Sequence, residues 1–270
     1  MKIAWSKTGV LIVPVLVVHI LAAGWSSAGE FSDYTTEDVL TQVMETYARV
    51  QSAAGRIVKT FEAGDTKNTV NGRFAAARPG RLYLEYTGED RQITVNDGET
   101  LYTYSPDQNR GLFKRTSELN PLETFVMGPE PLFGNMFRLL DDTFDIELAD
   151  MVSGNLIMKA TPHRALQVNF ILVAVDPETW TIRAVENFDR NNTLISQTKY
   201  LEFRSVGDSL YFPSKTSTST IMGDDILLET LKFSRIQLNV DFNGEWFVKP
   251  GDGDTEWISM DAVGGNAKIK

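Results

Sequence analysis

The stretch G-R-F-A-A-A-R-P-G-R-L-Y-L-E-Y (residues 72–86), followed by R-Q-I-T-V-N-D-G-E-T-L-Y-T-Y (residues 91–104), decides the fold. Leu82, Leu84 and Tyr86 alternate with Arg81, Tyr83 and Glu85, the period-two pattern of a strand with two unlike faces. Asn96-Asp97-Gly98 separates the run 93–95 from the run 101–104, and Asp-Gly supplies the positive φ of a tight hairpin. Arg78-Pro79-Gly80 interrupts the runs before it. Pro79 has no N–H to give a ladder, so it marks a bend or a strand start at an edge. Four short strand-like runs with turn chemistry between them predict a meander of antiparallel strands.

The pattern continues on both sides. Ile57, Lys59 and Phe61 begin a strand, Asp65 to Asn68 turn it, and Val70 to Ala77 return. From Phe144 onward, turn signals at Ser153-Gly154-Asn155, Asp176-Pro177, Asp189 to Asn192, Gly207-Asp208 and Gly223-Asp224-Asp225 separate further alternating runs. Spacing of this kind predicts an all-β meander. Two stretches break the rule. Before the first strand, Thr35 or Thr36 caps a helix with Glu37 and Asp38 in its first turn, and Val39, Leu40, Val43, Met44, Tyr47 and Val50 form one apolar stripe. Between strands, Asn120-Pro121 starts a short apolar helix that ends at Gly128-Pro129-Glu130-Pro131, and a second follows over residues 132–140. That pair reads either as a core-packing connection or as a movable cover, since helices so short gain little from local propensity.

The N-terminus carries Lys2 and Lys7, an apolar run from Val10 to Gly24 and small residues at Ser26-Ser27-Ala28. This is the layout of an export signal cleaved near Ala28, against an uncleaved anchor. The run falls short of the roughly 20 residues a membrane span needs. The 270 residues are 42% hydrophobic, enough for one large β domain or two small ones. A net charge of −10 argues against nucleic acid or an anionic membrane surface as a direct partner. With no cysteine there is no disulfide, thiolate metal site, thiol nucleophile or lipid-modified N-terminal cysteine.

No catalytic constellation emerges. His163 is the one histidine after the export signal, beside Pro162 in an expected turn, so neither a zinc set nor a His-dependent triad has its parts. Asp141-Asp142 and Asp224-Asp225 read as turn formers. Asp252, Asp254 and Glu256 alternate like a loose calcium loop without EF-hand spacing. No cofactor and no metal are expected.

The organising stretch also resembles a known family. Its segment R-P-x-x-(apolar)-x-(apolar), then an apolar strand, D-G-x-x-L-(aromatic)-x-Y and a proline resembles the LolA-like periplasmic lipoprotein carriers of the LolA/LolB superfamily. The matching residues are Arg78, Pro79, Leu82, Leu84, Asp97, Gly98, Leu101, Tyr102, Tyr104 and Pro106. A looser likeness runs from Asp38 to Ile258.

The resemblance implies a mainly β fold: a single curved antiparallel sheet forming an incomplete half-barrel, closed by an N-terminal helix and short lid helices. It divides the chain into a signal (1–28), a half-barrel domain (29–258) and a flexible tail (259–270). Leu82, Leu84, Tyr86, Val95 and Leu101 are the candidates for the wall of an apolar cavity, and Leu122, Phe125, Val126, Phe133 and Met136 for its lid. In the family an arginine at the position of Arg78 holds the lid shut through helix carbonyls. The competing reading is a solvated strand-end arginine, with Arg73 and Arg81 as rivals for the latch. The implied function is non-enzymatic: a monomeric periplasmic carrier of lipoprotein or lipid acyl chains, working between an inner-membrane donor and an outer-membrane acceptor. Two other readings stand beside it. One is a lipid- or lipoprotein-sensing scaffold of the same fold that binds a membrane partner; the other is a hydrolase of unrecognised type. The chain is longer than a typical carrier, chiefly around Gly128 to Asp150, and more acidic.

Overall fold

The computed structural model describes residues 33–88, 91–119, 143–166, 168–206, 210–243 and 245–264. The expected export signal, the lid candidates Leu122, Phe125, Val126, Phe133 and Met136, and residues 265–270 lie outside them.

Helix α1 (Thr36–Ala48) starts where the sequence places its cap. The Thr35 hydroxyl accepts from Asp38 N–H at 3.1 Å and the Asp38 carboxylate accepts from Thr35 N–H at 2.9 Å, a reciprocal capping box. A hydrogen bond from the Thr35 hydroxyl to the Asp38 carboxylate at 2.6 Å, joined by the one from Thr35 N–H, holds the Asp38 carboxyl below its usual pKa. Val39, Val43 and Tyr47 are buried, whereas Met44 is exposed. The stripe is therefore narrower than the sequence suggests.

The strands are β1 (Ser52–Ala63), β2 (Thr66–Ala77), β3 (Arg81–Thr87), β4 (Gln92–Asn96), β5 (Thr100–Ser105), β6 (Arg110–Arg115), β7 (Phe144–Val152), β8 (Asn155–Pro162), β9 (Phe170–Asp176), β10 (Thr181–Phe188), β11 (Leu194–Val206), β12 (Leu210–Met222), β13 (Asp225–Leu238) and β14 (Glu256–Ser259). A helical turn, α2 (Met260–Gly264), follows. All the strands join one open, curved sheet in the order β14-β6-β5-β4-β3-β2-β1-β13-β12-β11-β10-β9-β8-β7. Its ends, β14 and β7, do not meet, so the half-barrel stays open. Two antiparallel meanders, β1–β6 and β7–β13, are sewn together at the β1–β13 seam. One pairing departs from the antiparallel expectation: β14 runs parallel to β6.

Turn chemistry acts where the sequence puts it. Gly98 has φ +105°, and Asp97 Oδ1 accepts from the N–H groups of Glu99 and Thr100, both at 2.8 Å. Pro79 sits in the bend between β2 and β3, which are interior strands rather than an edge.

Register sorts side chains between two faces. The series Tyr200–Thr216–Leu231–Lys59 runs straight across four strands and so lies on one face, here called inner. On one half of that face, α1 buries Val39, Val43 and Tyr47 against Leu156, Met158, Val173, Val175, Val185 and Tyr200. On the other half, Phe74, Phe212 and Phe233 centre a second cluster with Val50, Ala53, Ile57, Ala76 and Leu82. Both Phe74 and Phe212 meet Phe233 edge-on, with ring centroids 5.4 and 5.9 Å away. The outer face of β1–β3 is covered by the segment after β13, where Phe242, Trp246 and Phe247 pack on Ala54, Ala75, Ala77 and Tyr83.

Candidate functional site

The second inner cluster is the candidate site. Leu82, Leu84 and Tyr86 project from β3 into it, alongside Phe74 from β2 and Phe233 from β13. Cross-strand pairs fix them: Phe74 opposite Leu84, Ala76 opposite Leu82, and Gly72 opposite Tyr86. Leu84, Tyr86, Val206, Leu210, Leu231, Ile236 and Leu238 are only partly buried there. From Leu82 to Tyr86 this apolar floor runs about 13 Å, four residues of extended chain. Burial pushes the Tyr86 phenol well above its ordinary pKa, and the Glu229 carboxylate adds to that.

The other candidates divide by register. Leu101 pairs with Asn96, which pairs with Leu82, so Leu101 is on the inner face two strands away. It is 2% exposed. Val95 pairs with Tyr83 and faces the other way, toward the side that Trp246 and Phe247 cover.

Three arginines competed for the latch, and the structure separates them. Arg73 donates to Glu85 at 2.5 Å and to the Tyr83 hydroxyl at 3.1 Å on the outer face. Arg81 donates to the Arg78 carbonyl at 3.3 Å, its guanidinium 5.1 Å from the Phe247 ring centre. Arg78 reaches the end of α1: Nε donates to Val50 O at 3.0 Å and Nη2 to Tyr47 O at 3.2 Å. These carbonyls stand at and just beyond the last helical turn; Tyr47 O also accepts from Val50 N–H at 3.0 Å, so the arginine adds to a tightened helix end. That turn contains no basic residue of its own. The Tyr47 side chain continues the connection, because its hydroxyl accepts from Ile182 N–H on β10 at 3.1 Å. Burial pushes its pKa up to about 12, so the hydroxyl is neutral at ordinary pH.

Sequence reasoning did not single out Phe212 and Phe233, which build the floor from the far side of the seam, or the pair Lys59–Glu229. The latter sits on the inner face beside Tyr86, with Lys59 Nζ 2.7 Å from Glu229 Oε2. A depression of about 360 Å³ opens on the other meander, lined by residues such as Ile157, Ala174, Ala184, Glu186 and Lys199. It holds none of the expected site residues. Among the described residues, no group of three or more His, Cys, Asp or Glu side chains is placed to hold a metal ion.

Comparison with known proteins agrees with this fold. The family model described as outer membrane lipoprotein carrier protein LolA matches residues 49–133. That span holds the motif from Arg78 to Pro106 and is shorter than the looser likeness expected from Asp38 to Ile258. No curated protein matches the chain. Among solved structures, a DUF1329 family protein from Desulfovibrio piger is 14% identical with a TM-score of 0.58, over 79% of this chain and 97% of that one. A LolA superfamily protein from Nitrosomonas europaea is 12% identical with a TM-score of 0.55, over 80% of this chain and 98% of that one. An outer membrane lipoprotein-sorting protein domain from Vibrio parahaemolyticus is 11% identical with a TM-score of 0.55, over 78% and 97%. At these identities the likeness is one of fold.

Proposed function

We propose that this LolA-like chain is a non-enzymatic carrier that shelters acyl chains of lipoproteins or lipids on the inner face of its half-barrel. The observation that carries the reading is the apolar floor around Phe74, Phe212 and Phe233, whose rim residues Leu84, Tyr86, Leu231 and Leu210 stay partly exposed. Burying a methylene yields about 0.8 kcal/mol, so a chain of a dozen carbons supplies ample affinity before costs. On this reading a shallow, adaptable floor suits handover to a tighter acceptor.

The finer parts of the proposal follow from the family likeness. The protein is exported to the periplasm after cleavage near Ala28 and works as a monomer. It receives its load from an inner-membrane donor and delivers it to an outer-membrane acceptor. Leu122, Phe125, Val126, Phe133 and Met136 cover the load, Leu82 and Leu101 border it, and Arg78 is the latch that keeps α1 and the floor in register.

Leu84 is the test position because it is on the inner face opposite Phe74. Leu84→Asp puts a charge onto the floor without removing backbone pairing. The variant should keep its far-ultraviolet spectrum and lose uptake of a fluorescent fatty acid. Unchanged uptake by a folded variant refutes the site.

A further inference from the structure

The apolar floor ends at a charged pair. Lys59 lies two residues beyond the buried Ile57 on β1, about 7 Å along the strand on the same face. Its Nζ is 2.7 Å from Glu229 Oε2, and the two side chains are only 20% and 27% exposed. The ammonium also lies 4.2 Å from the Phe61 ring centre and 5.7 Å from that of Tyr86. Register continues this polar end across the seam. Glu229 pairs with Thr218 on β12, and Thr218 pairs with Thr198 on β11. The two threonine hydroxyls are 3.0 Å apart. One row further along on the same face, Asn187 donates to the Ser196 hydroxyl at 2.8 Å. The inner face therefore passes from grease to an internally neutralised ion pair, and then to a strip of uncharged hydroxyl and amide groups.

We infer that this end of the floor is the subsite for the polar head of the bound amphiphile, and that it selects neutral acyl esters over free fatty-acid anions. The inference rests on the acyl-chain reading above. A lysine ammonium has three donors and Glu229 takes one, which leaves donors for an ester carbonyl. A free carboxylate brought to the same place finds the Lys59 charge already offset by Glu229, so its loss of hydration is not repaid by a net attraction. The threonine strip offers hydrogen bonds to glycerol hydroxyls and no compensating positive charge.

The test compares monododecanoylglycerol with dodecanoate, each displacing the uncharged fluorescent probe N-phenylnaphthylamine from the full chain. The wild type should bind the glyceride at least about tenfold more tightly, a difference of about 1.4 kcal/mol. Glu229→Gln frees Lys59 from its partner and should erase that preference by tightening dodecanoate binding. Lys59→Met should weaken the glyceride and leave dodecanoate weak. A pair with a merely structural role would shift both ligands together in each variant. An unchanged ratio in both folded variants overturns the selectivity alone. Binding of neither ligand by the wild type overturns the acyl-chain reading and the selectivity with it.

Discussion

Arg78→Ala is the perturbation from which most can be learned. Arg78 emerges from the bend between β2 and β3, yet its guanidinium holds two carbonyls at the end of α1, a helix packed on the opposite half of the sheet. Partly buried hydrogen bonds from a charged donor contribute about 1.5 kcal/mol each at the lower end of their range. Two of them, plus the loss of a cation at a helix C-terminus worth roughly 0.5 kcal/mol, give a destabilisation of about 3.5 kcal/mol. Lysine keeps the charge but not the fork, so Arg78→Lys should recover about half of that.

Tyr47 makes the argument sharper. Its carbonyl accepts from Arg78 and its hydroxyl accepts from Ile182 N–H, so one residue ties the first meander to the second. Tyr47→Phe leaves that buried N–H without its acceptor, at a cost of about 2 kcal/mol. If the two contacts act through one pinned helix end, the double variant should lose less than the sum of the single losses, by about 1 kcal/mol. Urea unfolding at constant m-value measures each term, and hydrogen exchange on residues 44–48 should quicken in Arg78→Ala before the strands respond. Strict additivity, or Arg78→Ala within 0.5 kcal/mol of wild type, would show that the bridge is ornamental and refute the latch.

Two further predictions concern the outer face. Burial pushes the Glu85 carboxyl up, but hydrogen bonds from Arg91, Arg73 and Tyr83 outweigh it and hold its pKa below the reference value of 4.5. A depressed folded pKa stabilises fully above the unfolded value, and that contribution fades as pH falls below 4.5 through the folded value. Glu85→Gln should cost about 2 kcal/mol at neutral pH and flatten the acid limb of a stability–pH curve; an equally steep limb would count against the network. At Gly111 an added Cβ would lie 2.3 Å from Trp257 Cζ3. Gly111→Ala should therefore push the indole off Tyr102 and Tyr104, cost about 2 kcal/mol, and expose β14 to protease, whereas an uncut C-terminus would show that β14 tolerates the displacement.

Much of the fold was legible because its signals are local. The capping box at Thr35 and Asp38 and the turn at Asp97-Gly98 each need only a few adjacent residues. The alternation of Leu82, Leu84 and Tyr86 likewise assigns one face without knowledge of the neighbours. Val95 shows where such reasoning stops. Its alternation with Thr94 and Asn96 marks it as apolar-facing, and it is 1% exposed. But in this sheet β3 turns Leu82, Leu84 and Tyr86 inward whereas β4 turns Ile93 and Val95 outward, where the chain returns after β13 to lay Trp246 and Phe247. Periodicity tells that a residue is covered, not which layer covers it. The Lys59–Glu229 pair was illegible for a related reason: it exists only because β1 pairs with β13, the longest-range seam in the sheet. Arg78 was legible only as a candidate, since its partners belong to a helix that packs on the far half.

The division of labour between the halves follows from how each inner surface is covered. Around α1 the sheet buries long aliphatic side chains completely: Val39, Val43, Leu156, Met158, Val173 and Val175 are all at 0% exposure. That centre has nothing left to gain from a ligand, although it too is edged by partly buried apolar side chains such as Leu40, Ile146 and Leu148. Around Phe74 and Phe233 the centre is buried but the rim is not, so apolar area there still meets water and its removal is still favourable. Loosening the first half would expose a finished core, at a large cost for every side chain released. Covering the second half costs only the ordering of whatever covers it. On the acyl-chain reading the difference between the halves lies in their cover: α1 already buries its stripe on the first, and none of its residues joins the second cluster.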